Sequence, residues 1–142
     1  MEEAQRRIDE WVREGDNTKE LSLYNLGLTS LPPLPERLTC LNCRNNKLPS
    51  LPPLPEGLTK LFCSDNQLTS LPALPEGLTY LYCTVNVLTS LPPLPESLTA
   101  LQCSGNHIFY PPKDKIDQLS LTELKEWMCE NPYNLVKSAN KH

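Results

Sequence analysis

Charge is sparse and nearly balanced in this 142-residue chain, where thirteen Lys and Arg stand against seventeen Asp and Glu for a net charge of −4. The basic residues are scattered, so the basic stripe that phosphate binding requires is missing and nucleic acid is excluded as a preferred partner. No apolar run approaches the length of a membrane span, and the opening MEEAQRRIDEW lacks the apolar segment of a signal peptide. The chain is cytosolic in character on those grounds. Histidine is reduced to His107 and His142, with no phosphate loop, paired-carboxylate motif or metal-ligand spacing around either. Both read as solvated residues, and neither metal nor cofactor is called for.

What the chain has is repetition. LTCLNCRNNKLPSLPPLPEG from Leu38, LTKLFCSDNQLTSLPALPEG from Leu58, LTYLYCTVNVLTSLPPLPES from Leu78 and LTALQCSGNHIFYPP from Leu98 stand in register at a period of 20 residues. A partial copy, LSLYNLGLTSLPPLPER, precedes them from Leu21. Three parts follow: an N-terminal cap and connection over 1–20, the repeats over 21–108, and a C-terminal helical cap and tail over 109–142. Each full unit reads Leu-x-x-Leu-x-Cys-x-x-Asn-x-(Leu/Ile), and the proline-rich stretch Leu-Pro-x-Leu-Pro-(Glu) closes the units before the last.

That unit resembles the leucine-rich repeat template, with cysteine where a third leucine often stands. Its proline-containing tail is similar to the short repeats of bacterial type III secretion effectors and of proteins from large DNA viruses. The resemblance implies a solenoid: a curved stack of short parallel strands on the concave face, extended polyproline-like segments on the convex face, and helical caps at both ends. It also implies a protein-binding module and allows delivery into a host cell by a route that reads no apolar signal.

Physical chemistry leads to the same architecture. Along Thr39-Cys40-Leu41-Asn42-Cys43 side chains alternate, so Leu41 and Cys43 face inward while Cys40 and Asn42 face outward. Leu38, Leu41, Cys43 and Leu48 therefore recur inside every rung. One unit cannot bury that set alone, but stacked units join their sets into a continuous core. Asn46, Asn66, Asn86 and Asn106 follow the strands where the chain turns, and their amides can tie to neighbouring backbone as a buried ladder. Most of the fifteen prolines lie in the Leu-Pro-x-Leu-Pro stretches, which excludes a convex helix.

The ends must cover the open rims of such a stack. EEAQRRIDEWVRE predicts a capping helix with Ala4, Ile8, Trp11 and Val12 on one face and Gly15 as its stop. Ser120-Leu121-Thr122-Glu123 has the spacing of a capping box and predicts a second helix, with Leu121, Leu124, Trp127 and Met128 along one side and Pro132 ending it.

Six cysteines invite chemistry, but four of them, Cys43, Cys63, Cys83 and Cys103, fall at the repeat period and form an inward column. Parallel side-chain vectors are poorly placed for a disulfide, and four sulfurs in a row cannot converge on one tetrahedral metal. They read as reduced packing residues. Cys40 and Cys43, three apart on a strand, diverge to opposite faces, so their Cys-x-x-Cys spacing is accidental. Ligases among the resembling effectors carry a catalytic Cys-x-Asp in a large helical domain beyond their repeats, and Cys63-Ser64-Asp65 imitates it. The equivalent triplets read Cys-Arg-Asn, Cys-Thr-Val and Cys-Ser-Gly, which makes Asp65 variable decoration. The stretch after Ile108 is too short for a ligase domain, and Cys129-Glu130-Asn131 does not restore the motif. The expected protein is not an enzyme.

A surface remains. The outward strand positions place Tyr24, Asn42, Arg44, Lys60, Phe62, Tyr80, Tyr82 and Gln102 on the concave face. Phe62, Tyr80 and Tyr82 cluster mid-sheet beside Lys60 and Arg44, a composition typical of protein-binding hot spots. The alternative is that the aromatics only pack along the strands and stabilise neighbouring rungs. Three functions follow: a module binding an unidentified protein on its concave strands, a structural solenoid that self-assembles, or a substrate-reading adaptor for an enzyme on another chain. A monomer or weak homo-oligomer is expected.

Overall fold

The computed structural model describes residues 2–108 and 120–123. Helix α1 spans Glu2–Glu14, with Glu2 and Glu3 in its first turn and Arg13 in its last, each sign complementing the helix dipole. Ala4, Ile8 and Trp11 are buried. Val12 is 56% exposed, contrary to its expected place on the packing face. The residue after Trp11 turns about 100° further round the helix and so leaves a stripe already filled by three side chains. Gly15 ends the helix at φ 70°, with its N–H donating to the Trp11 carbonyl at 3.3 Å, a left-handed cap that suits glycine.

Five short strands follow: β1 Leu21–Ser22, β2 Cys40–Asn42, β3 Lys60–Phe62, β4 Tyr80–Tyr82 and β5 Ala100–Gln102. They form one parallel sheet in sequence order. Its register steps by the repeat period: Leu41 lies beside Leu21 and Leu61, and Leu81 beside Leu61 and Leu101. Leu38, Leu41, Cys43 and Leu48, with their counterparts Leu58, Leu61, Cys63 and Leu68 and Leu78, Leu81, Cys83 and Leu88, are wholly buried in a single cluster that also takes in the α1 side chains. Burying each such leucine contributes on the order of 1.5–3 kcal/mol before ordering entropy is counted.

The return segments contain neither helix nor strand. Each closes in a turn in which the N–H of Leu38, Leu58, Leu78 or Leu98 donates to the carbonyl of Pro35, Pro55, Pro75 or Pro95 at 3.1–3.2 Å. Arg37, Gly57, Gly77 and Ser97 share one position of that turn, and neither glycine there has a positive φ. The interchange of side chains is explained by that ordinary backbone.

The free edge of β1 is covered by α1, where Arg7 Nη1 donates to the Ser22 carbonyl at 3.0 Å. Trp11 Nε1 donates to the Lys19 carbonyl at 3.0 Å and fixes the connection. At the far end residues 121–123 are helical, the Glu123 N–H donates to Ser120 Oγ at 3.2 Å, and Leu121 packs against the core. The expected continuation through Leu124, Trp127 and Met128 to Pro132, together with Cys129 and His142, lies outside the described residues. Among the described residues no helix is long and apolar enough to cross a membrane.

Candidate protein-binding surface

Two polar ladders hold the strands in phase. Asn66 Oδ1 accepts from the Leu48 N–H at 3.0 Å, while its Nδ2 donates to the carbonyls of Cys43 at 3.0 Å and Cys63 at 3.1 Å. One amide thus bridges two rungs. Asn46, Asn86 and Asn106 repeat the arrangement against Leu28, Leu68 and Leu88. The second ladder, which sequence reasoning missed, is made by threonine: Thr59 Oγ1 donates to the Thr39 carbonyl at 3.1 Å, Thr79 to Thr59 at 2.9 Å and Thr99 to Thr79 at 3.1 Å. Thr39 begins it by donating to the Asn17 carbonyl. The recurrence of threonine after the first leucine of each unit was its signal.

Between strand and asparagine, one residue per rung turns the chain through the left-handed region: Asn25 at φ 55°, Asn45 at 60°, Asp65 at 58°, Val85 at 54° and Gly105 at 71°. Asn, Asp and Gly tolerate that conformation, and a β-branched residue such as Val85 adopts it only at a cost. Asp65 therefore has a definite conformational place, rather than being free decoration. It is exposed, whereas Cys63 is sealed inside the core.

Burial pushes the Cys43 thiol up to about 12, the Cys63 thiol well above its ordinary value and the Cys83 thiol upward as well. A proton held that firmly leaves no nucleophilic thiolate. Cys40 is half-buried on the concave side, where desolvation and then the Glu20 carboxylate, 3.9 Å from its Sγ, raise its pKa. Cys40, Cys43, Cys63 and Cys83 are free thiols, and among the described residues no cluster of His, Cys, Asp and Glu could hold a metal ion.

The concave face is where side-chain chemistry concentrates. Arg44 sits between two rings, its guanidinium carbon 5.8 Å from the centroid of Tyr24 and 5.8 Å from that of Phe62. Phe62 meets Tyr82 edge to face at 5.1 Å, Tyr82 lies 6.5 Å from Tyr80, and Lys60 Nζ stands 5.2 Å from the Tyr80 ring. Six side chains on four successive rungs, four rings and two cations, thus form one connected band. Asn42 occupies its expected face but is buried under this band, its Oδ1 accepting from Arg44 Nε and from the Arg44 N–H, both at 3.2 Å. Its amide positions Arg44 and is not presented to solvent. Gln102, on β5, is exposed and lies beside Tyr82 in the register of the sheet.

Solved structures with the same architecture come from bacterial effectors. The leucine-rich repeat domain of a Shigella effector is 42% identical over 74% of this chain, with a TM-score of 0.71. The chain is a leucine-rich repeat protein. Its repeats are similar also to those of the leucine-rich effector YopM from Yersinia pestis, at 33% identity and a TM-score of 0.65, and of YopM from Yersinia enterocolitica, at 35% and 0.60, each over 74% of this chain. This leucine-rich repeat protein spans 47% of the Shigella domain and 35% and 28% of the two Yersinia chains. No family model and no curated protein matches it. A fold shared with effector repeat domains supports a protein-interaction module in general terms.

Proposed function

We propose that this leucine-rich repeat protein is a non-enzymatic binding module that holds a protein partner against its concave strands. The observation that carries this reading is the connected band of Arg44, Phe62, Tyr82, Tyr80 and Lys60 on β2–β4 and the segments flanking them. Aromatic and arginine side chains dominate the energetics of protein interfaces, and solenoids offer their concave side as an extended binding surface. Its rings are half-buried against one another, so their conformational freedom is restricted before a partner arrives. Likeness to Shigella and Yersinia effectors supports delivery into a host cell as the setting. Covering of the β1 edge by α1 supports a monomer over strand-to-strand assembly at that end.

The test compares wild type with Phe62→Ala/Tyr80→Ala/Tyr82→Ala by affinity capture from host-cell lysate, with light-scattering mass measured alongside and folding checked by circular dichroism. A partner held by the wild type and lost by the folded triple variant is the expected outcome. Retention of every partner by the variant refutes concave-face binding. A concentration-dependent oligomer that captures nothing points to self-assembly instead.

A further inference from the structure

The two cations of the concave band make no ion pair among the described residues, although the Glu20 carboxylate shares that face beside Cys40. Among the described residues no carboxylate pairs with Arg44 or Lys60: the ion pairs lie on α1 and its connection, between Glu3, Glu10 or Glu14 and Arg6, Arg7 or Lys19. The Arg44 guanidinium is nevertheless held in place, by two rings and by Asn42 Oδ1 on Nε. That grip uses Nε, and among the described residues neither Nη1 nor Nη2 makes a hydrogen bond. A fork fixed in this way suits a carboxylate taken in bidentate fashion.

The second cation sets a spacing. Lys60 lies beside Cys40 across the β2–β3 ladder, and Arg44 lies four residues beyond Cys40 on the same chain segment. At ~3.3 Å per residue along the strand and ~4.8 Å between strands, their backbones stand roughly 14 Å apart. An extended segment covers that distance in about four residues, and its side chains at i, i+2 and i+4 share one face. Along the strand direction Phe62 lies between the levels of the two cations, and Tyr82 is its neighbour on the next strand.

Building on the binding function proposed above, we infer that the partner presents an extended acidic segment, with carboxylates at i and i+4 meeting Arg44 and Lys60 and an apolar or aromatic side chain at i+2 meeting Phe62 and Tyr82. The remaining charge of the chain does not favour a nucleic-acid strand on the same rings, because two cations on a protein of net charge −4 supply few phosphate contacts.

The experiment selects a phage-displayed library of linear decapeptides on the full chain and on Arg44→Gln, Lys60→Gln and Phe62→Ala, each confirmed as folded. The strongest wild-type peptide is then made with a fluorescent label and titrated by polarisation. Expected are peptides enriched in Asp or Glu four apart around an apolar residue. Their binding should weaken tenfold or more in Arg44→Gln, recover only in part in Arg44→Lys, and fall as salt is raised. Peptides without acidic enrichment that still depend on Phe62 overturn the acidic inference and leave the concave binding surface standing. Peptides indifferent to Phe62, or a library that yields none, overturn both. Tighter binding of a labelled oligothymidylate than of any peptide replaces the acidic segment with a nucleic acid.

Discussion

Replacing Val85 by asparagine should raise the stability of the fold, because the position demands a conformation that valine resists. Its φ of 54° matches those of Asn25, Asn45 and Asp65 in the rungs before it, and Gly105 follows at 71°. The left-handed region costs an ordinary L-residue roughly 1–2 kcal/mol, and branching at Cβ places valine among the worst cases. Against that gain stands the apolar burial given up. Val85 is 53% exposed, so the loss is well under the 1.5–3 kcal/mol of a fully buried valine. The new amide also gains a neighbour, since Asn45 Nδ2 already donates to Asn25 Oδ1 at 3.1 Å across the same stack and Asp65 is the residue one rung below. The net expectation is about +1 kcal/mol, or a rise in Tm of about 3–6 °C for a chain of this size. Thermal and urea unfolding followed by circular dichroism would measure it, with Asn45→Val as the reverse experiment that should lower Tm. A Tm that stays put or falls in Val85→Asn refutes the strain argument.

Leu61→Ala opens a cavity between Leu41 and Leu81, its partners in register, and should cost roughly 2–5 kcal/mol; an unchanged Tm would mean that the inward phase is wrong. Asn66→Ala strands the Leu48 N–H and removes a donor from two buried carbonyls, for about 2–4 kcal/mol, and Asn66→Asp should fail to rescue because it sets a negative charge against those carbonyls. In a Cys129→Ser background an aromatic disulfide reagent should label Cys40 first, slowed by its raised pKa, and Cys43, Cys63, Cys83 and Cys103 only at the rate of unfolding, and labelling of all five at one rate without unfolding would show an open core. Below the ordinary thiol value of 9.0 folded and unfolded chains hold the same protons, but above it the unfolded chain releases protons that buried Cys43 keeps until about 12. Stability should therefore fall as pH rises past 9, by ~1.4 kcal/mol per pH unit for each such thiol, and the urea midpoint between pH 8 and 10.5 should fall less steeply in Cys63→Ala.

The periodic part of the fold was legible because each rung imposes the same constraint at the same phase. Leucine at 38, 41 and 48 and cysteine at 43 had to share a side once alternation and the 20-residue step were accepted, and the asparagine had to serve the turn. Val12 was misplaced because a face read as i, i+3 and i+4 is wider than the stripe that one rung can cover. The left-handed turn was hidden by its own tolerance: Asn, Asp and Gly at one position look like unconstrained surface until the backbone shows what they have in common.

The concave surface was legible only as a set of positions, since alternation assigns a face but not an environment. Asn42 and Arg44 point to the same side by phase, yet one is buried and the other exposed. The difference arises from side-chain reach. A guanidinium on a long flexible stem can lie across the strand between Tyr24 and Phe62, whereas the short amide beneath it can only accept its hydrogen bond. Changing Asn42 to alanine should consequently leave the core intact but loosen Arg44, so that an Arg44-dependent ligand binds more weakly although Asn42 never touches it. If Asn42→Ala leaves that affinity unchanged, the two rings alone hold the guanidinium.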